Sequence, residues 1–370
     1  MHSSNWKVNF PPSNVAVDVS VIDTTTYLRE VNGSLVVKPV YAGFEKGFIP
    51  SYSFLIHHKP SGQRLLYDLG LRTNWETHLS PHLREEIKPL GFKVEVKRDV
   101  AEIIGDGGLK PDQINAIILS HHHWDHVGDP TLFPSTTKLV VGPGYKQKYL
   151  PGWPAQPDAS GTTTDTYKGR VTEELDFQFA PKACQIGPYP AYDWFSDGSF
   201  YLLNAPGHTT GHICGLARTS VGPEGDTFMF LGGDVTHHCA LFRPTEYYPL
   251  PEEICPDPVE DHTSTASVSS EKYVKVHRAY QGGAGSQEAR VSPFCLVPVG
   301  YVDEDADLAQ ETLNKMFVFD GDENVFTVFA HDPTLLDVLD FFPQKANEWK
   351  TKGWAKKSHW KFLGPLKTAG

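Results

Sequence analysis

Ser120-His121-His122-His123-Trp124-Asp125-His126-Val127-Gly128-Asp129 places four of the chain's 17 histidines within a few positions, directly after the apolar run Ala116–Leu119. That run reads as a strand. Side chains of an extended segment alternate with period two, so His121 and His123 point the same way and both imidazoles reach one cation. The loop that follows turns Asp125 and His126 toward a neighbouring cation. The spacing His-x-His-x-Asp-His is therefore built for two metals, and a solvated histidine-rich turn is the bland alternative.

Three later stretches turn the local match into a site. Ala205-Pro206-Gly207-His208-Thr209-Thr210-Gly211-His212 follows the predicted strand Phe200–Asn204 with a turn that projects His208 inward. Leu231-Gly232-Gly233-Asp234 closes the apolar strand Thr227–Gly232 on a lone carboxylate, whose burial is costly without a cation. Phe329-Ala330-His331-Asp332 closes the strand Val325–Ala330 on a histidine. Each alone is more often structural than ligating, but four strand-end clusters of His and Asp in one chain are hard to explain as coincidence.

Around them, strands are expected at Val15–Ile22, Leu35–Val40, Ser53–His57, Leu65–Asp68 and Lys138–Val141, and helices at Asp99–Ile104, Asp305–Phe319 and Pro333–Leu339. Strands interleaved with helices in both halves predict an α/β layered fold. Insertions are expected near 145–198 and 240–300. Within them Pro151–Thr166 and Pro251–Ser270 read as long loops, surface insertions before substrate lids. Gln344–Gly370 carries seven lysines against Glu348, interleaved with Trp349, Trp354 and Trp360, and reads as a docked tail snorkelling its lysines.

Composition narrows the function classes. The net charge of −12 repels phosphate backbones and anionic lipid, so neither nucleic acid nor membrane is an expected partner. Five widely spaced cysteines with no Cys-x-x-Cys pair argue for a reducing compartment, and no stretch resembles a secretory signal or an uninterrupted apolar span. The expectation is a soluble, cytoplasmic protein. No Gly-x-Ser-x-Gly elbow of a serine hydrolase occurs, and Gly283-Ala284-Gly285-Ser286-Gln287-Glu288 lacks the third glycine of a dinucleotide fingerprint.

The motif set, in this order, resembles the metallo-β-lactamase superfamily, and the likeness runs from Val15 to Phe342. It implies a four-layer αβ/βα sandwich occupying residues 1–342, with 343–370 as the tail docked on it. It also implies that His121, His123 and His208 hold one metal, that Asp125, His126 and His331 hold a second, and that Asp234 bridges them. Asp68 resembles the family's acid that orients a histidine ligand. Members doing redox chemistry at two irons resemble His-x-Glu-x-Asp, whereas His123 stands here, which favours two zinc ions, other divalent metals being possible.

The run Gly207–His212 and the complete ligand set most resemble the branch of quorum-quenching lactonases and their fungal-type relatives. Those lactonases carry a tyrosine three positions after the bridging aspartate, where this chain has His237. The resemblance implies hydrolysis of a lactone or carboxylic ester, with Asp125 passing a proton to the leaving group and His237 as oxyanion donor or general acid. The same chemistry would serve a thioesterase on acyl or polyketide thioesters, and a non-catalytic zinc protein is the alternative from another class. The partner is a small molecule, and the chain a monomer or homodimer. His212 reads as a supporting residue, His57 and His58 as surface, and Cys239 as a small buried thiol. Trp124, Phe242, Tyr247 and Tyr248 are candidates for an acyl pocket, with ordinary core packing the commoner outcome.

Overall fold

A computed structural model describes residues 7–157, 161–223, 225–260, 264–300 and 302–367. The parts of the expected loops at 158–160 and 261–263, and of the expected tail at 368–370, lie outside the described residues. The first sheet contains β1 (Asp18–Asn32), β2 (Lys46–His58), β3 (Gln63–Tyr67), β4 (Lys93–Glu95), β5 (Ala116–Ile118), β6 (Lys138–Val141) and β7 (Thr172–Glu174), in the order β4-β1-β2-β3-β5-β6-β7. The second contains β8 (Ala183–Ile186), β9 (Tyr189–Asp193), β10 (Phe200–Asn204), β11 (Ile213–Ser220), β12 (Thr227–Leu231) and the strand Val325–Val328. That last strand pairs in parallel with β12 at one edge, and β8 forms the other edge.

Period-two alternation makes the layers. Leu65 and Tyr67 of β3, Ile118 of β5 and Val140 of β6 face Leu202 of β10, Met229 and Leu231 of β12, and Phe326 and Val328 across the gap between the sheets. The alternate residues Leu66, Ile117, Leu139 and Val141 pack outward against Val100, Ala101 and Ile104 of the helix Val100–Asp106. On the opposite outer face, Leu203, Leu216, Phe228 and Phe230 meet Leu313, Met316 and Phe319 of the helix Ala306–Asp320. The result is the expected four-layer helix–sheet–sheet–helix sandwich.

Topology then fixes where loops emerge. β3 and β5 run parallel, so both end at one edge of the first sheet. β10 is two antiparallel steps from β12, and β12 is parallel to Val325–Val328, so these three strands also end together. Every motif of the sequence follows the end of one of these five strands.

Several local expectations differ. Leu35–Val40 is not a strand: Gly33–Leu35 forms a 3-10 turn, and Lys38 alone touches a strand-like neighbour, Leu296. Its apolar residues answer to burial instead, Val36 and Val37 being buried. Gly33 sits so close to the returning chain that a Cβ would lie 1.8 Å from the Phe44 carbonyl oxygen. Pro333–Leu339 carries only a 3-10 turn, Pro333–Leu335, started by Asp332, whose carboxylate accepts from the Thr334 N–H at 2.9 Å. β1 runs ten residues past the expected Ile22, with register shifts after Asp23 and Arg29, and stays paired with β2 throughout. His58 is not at the surface: it is buried, stacked on Phe195 and bonded to Ser61 and Asp197.

All five cysteines are free, and Cys239 is buried. Trp349 stacks on Phe326, and Phe362 and Leu363 join the outer cluster of the second sheet. Among the described residues no helix is long and apolar enough to cross a membrane.

Candidate metal centre

The strand ends bring His121, His123, Asp125, His126, His208, Asp234 and His331 to one place, with Asp234 at its centre. Nε2 of His126 and of His331 each lie 3.1 Å from Asp234 Oδ1, and His208 and His121 Nε2 lie 3.4 and 3.7 Å from Oδ2. His208 Nε2 stands 3.0 Å from His123 Nδ1 and 3.2 Å from His121 Nε2, while His331 Nε2 is 3.7 Å from Asp125. Metal–nitrogen bonds of about 2.0–2.1 Å in a tetrahedron put neighbouring ligand atoms roughly 3.3 Å apart, which is the spacing seen here.

The outward-facing nitrogens decide what the inner ones can be. His331 Nδ1 lies 2.7 Å from the Pro50 carbonyl, which only accepts, so its proton is committed there. His126 Nδ1 donates to Asp68 at 2.9 Å and His208 Nδ1 to Asp303 at 3.0 Å. The Ser120 hydroxyl donates to Asp68 at 2.7 Å and so accepts from His121 Nδ1 at 2.9 Å. Four imidazoles therefore aim Nε2 lone pairs at a carboxylate. Acceptors facing acceptors in a buried site are unfavourable unless a cation lies between them, and among the described residues buried Asp234 Oδ1 has no hydrogen-bond partner. The donor set fits two divalent cations, one among His121, His123, His208 and Asp234, the other among Asp125, His126 and His331, whose two histidines also approach Asp234 Oδ1 at 3.1 Å.

Without a cation the electrostatics divide the cluster: burial would lower His126, but Asp234, Asp125 and Asp68 raise it well above the ordinary value. Burial holds His121 and His208 well below the ordinary imidazole value and His123 at about 4, which keeps these rings neutral and their lone pairs available. Burial would raise the Asp234 carboxyl, but the surrounding histidines, His126 foremost, hold it well below the usual range.

Supporting residues lock the arrangement. Asp68 takes the Ser120 N–H and hydroxyl, both at 2.7 Å, besides His126, from a backbone with φ of 59°. His212 donates through Nδ1 to the Ala205 carbonyl and accepts the Asp234 N–H at Nε2, 3.0 Å away, so it holds the backbone of Asp234. His122 faces away and stacks on Tyr149. His237 places Nε2 3.2 Å from Asp234 Oδ2 with its ring parallel to that of His331.

A cavity of about 190 Å³ opens onto His123, Asp125, Asp234, His237 and His331. Its walls are Leu28 and Val31 of β1, Leu35, Val36, Ile49 of β2, Leu83 and Ile87 of the helix Pro81–Ile87, Leu90, Phe92, Trp124 and Val302, with no lysine or arginine among them. Of the aromatic candidates only Trp124 lines it. Phe242 packs on Phe329, Tyr247 on Gly321 and Tyr248 on His359.

Sequence reading missed Asp303, the Pro50 carbonyl and most of the cavity wall. Asp303 stands in Val302-Asp303-Glu304-Asp305, where Asp305 caps the following helix by accepting from the Leu308 N–H at 3.0 Å, and the run reads as nothing more than a cap.

Comparison with known proteins agrees with the fold. Residues 47–219 match the model of the metallo-beta-lactamase superfamily. The gamma-lactamase FDB1 of Fusarium pseudograminearum is 42% identical over 361 residues, spanning 96% of this chain and 84% of that protein. The metallo-hydrolase mfmC of Annulohypoxylon moriforme is 37% identical over 369 residues, spanning 98% and 90% respectively. A crystal structure of a quorum-quenching N-acyl homoserine lactone hydrolase superposes with a TM-score of 0.55 over 90% of this chain and 100% of that one, at 15% identity, a likeness of fold.

Proposed function

The chain belongs to the metallo-beta-lactamase superfamily and is a hydrolase, and from that premise we propose that it opens a lactone or lactam at a binuclear zinc centre held by His121, His123, Asp125, His126, His208, Asp234 and His331. The observation that carries this reading is the convergence of four Nδ1-anchored imidazoles on Asp234 at the floor of an apolar, cation-free cavity. Two cations held by these residues would supply a water-derived nucleophile near neutral pH and polarise a carbonyl.

The chain's own groups do the rest. The cavity walls hold an uncharged, apolar substrate body and exclude bulk water, and their lack of Lys or Arg leaves a free carboxylate or phosphate without a partner. His237 borders both the cavity and Asp234, where its N–H donates to the oxygen that gains charge as the carbonyl carbon becomes tetrahedral. Asp125, on the cavity floor and 3.7 Å from His331, carries a proton to the departing oxygen or nitrogen of the opened ring. A lactam joins the lactone here because a relative named a gamma-lactamase shares 42% of the sequence.

The test is proton uptake or release by zinc-loaded protein on aliphatic and aryl lactones, γ-lactams, open esters and acyl thioesters, with metal content measured in parallel. Turnover of lactones or lactams that falls about a hundredfold to ten-thousandfold in Asp125→Asn, with rates compared per metal ion bound, is expected. Thioester-only turnover would move the chain to the thioesterase reading. Inertness of fully metal-loaded protein toward every member of the panel refutes the assignment.

A further inference from the structure

A second cavity, of about 300 Å³, reaches the same centre from another side. It shares Val36, Ile49, His237 and His331 with the first, so the two arms border the same side chains beside the metal ligands. Their chemistry differs. Away from the ligand cluster the first arm is walled by apolar side chains, while the second contains His238, whose ring is held between Phe44, 4.6 Å away, and Phe362.

The tautomer of His238 follows from the backbone. The Ala240 N–H donates to His238 Nδ1 at 3.0 Å, so the ring proton sits on Nε2. Burial keeps this imidazole neutral, with its pKa at about 4. Among the described residues Nε2 has no hydrogen-bond acceptor. Lys46, the cation on the same wall, is exposed and paired with Glu30. The walls themselves are pinned: a Cβ on Gly43 would lie 1.9 Å from the Pro365 carbonyl oxygen, and the Lys367 N–H donates to Ala42 at 2.8 Å, so the C-terminal segment closes this arm.

We infer that the second arm is a specificity subsite in which the His238 Nε2–H donates to a second, uncharged oxygen acceptor carried by the substrate, an ether, phenol or carbonyl oxygen on the substituent that points away from the apolar arm. A neutral, fixed donor discriminates against a pure hydrocarbon substituent, because the N–H is then left buried without a partner. The substrate class narrows to a cyclic carbonyl compound with an apolar body on one side and an oxygen-bearing group on the other. This rests on reading the metal cluster as a hydrolytic centre for such compounds.

Cyclic ketones cannot be hydrolysed, so they test the subsite apart from the reaction. Dissociation constants for 3-pentylcyclopentanone and its ether isostere 3-(propoxymethyl)cyclopentanone would be measured by calorimetry on the metal-loaded protein, on His238→Phe and on His238→Gln. The expected result is about fivefold tighter binding of the ether by the natural chain, the equivalent of one net hydrogen bond. That preference vanishes in His238→Phe and survives in His238→Gln, which keeps a donor. A ratio near one in the natural chain, a preference that persists in His238→Phe, or binding of neither ketone overturns the inference. Lactones and lactams that bind but never turn over would instead count against the hydrolase reading, leaving the ketone ratio to stand on its own.

Discussion

Two buried polar clusters lie near each other in this molecule, and they are built on opposite rules. Around Asp234, acceptors face acceptors, each imidazole having spent its proton outward on Asp68, Ser120, Asp303 or Pro50. Around Arg243, donors meet acceptors, with His359 Nε2 left without a partner among the described residues. Its guanidinium grips Asp320 with two bonds of 2.9 and 2.7 Å and reaches the His359 carbonyl at 3.1 Å and Cys239 Sγ at 3.5 Å, while the Cys239 thiol turns to Asp332. Both clusters touch the same tripeptide, Ala330-His331-Asp332, one through His331 and the other through Asp332. The lesson is that burial of charge does not itself mark a functional site; the direction of the lone pairs does.

The sharpest way to break this contrast is to remove the centre of each cluster. Arg243→Met leaves Asp320 buried and unpaired and should cost about 3–5 kcal/mol of stability in denaturant titration, with metal content unchanged. Asp234→Asn should do the reverse, abolishing metal retention while leaving the melting temperature of metal-free protein equal or higher. If both variants lose stability alike, the distinction fails.

A smaller effect separates the ligands from what holds them. Asp303→Asn keeps the shape but weakens the bond to His208 Nδ1, and metal affinity in competition with a chelator should fall about tenfold to hundredfold, with folding intact. No change would show that His208 is oriented by its packing alone.

The smallest effect is in the pH dependence of the Arg243 cluster. Burial, then the Arg243 charge, holds His359 at about 3, below its unfolded value of 6.5. The unfolded chain therefore binds more protons as pH falls, so the stability tied to this neutral ring is complete above about pH 6.5 and is lost progressively toward pH 3, roughly 1.4 kcal/mol at pH 5.5. Burial would raise Asp320, but Arg243 outweighs it, so that contribution persists to below 3.8 before it too is lost. Melting curves of His359→Phe should be flatter than those of the natural chain between pH 6.5 and 4; parallel profiles would contradict the assignment.

What the sequence made legible was chemistry attached to strand ends. His121, His123, Asp125 and His126 share one short stretch, and His208, Asp234 and His331 each end an apolar run, so residue type and periodicity alone point to them. The rest depends on tertiary approach. Leu35, Val36 and Val37 look like a strand because they are apolar, yet they are apolar because they wall a cavity from a 3-10 turn. Leu83 and Ile87 serve the same cavity from a helix whose residues are all at least partly exposed, where no core pattern announces them. Asp303 was hidden by an acidic run with an ordinary explanation, and His238 by its neighbour His237, which drew the attention due to the bridging aspartate.

Asp68 shows how narrowly a single position is specified. Its φ of 59° is a conformation that glycine, asparagine and aspartate tolerate and other residues adopt at a cost. Its two oxygens receive three protons, from the Ser120 amide, the Ser120 hydroxyl and His126 Nδ1, which glycine cannot accept at all and an asparagine amide can accept only in part. Backbone and side chain each narrow the alphabet independently, and aspartate is the residue left where the two restrictions overlap. A library randomised at this codon should return one letter, although the residue touches neither substrate nor metal.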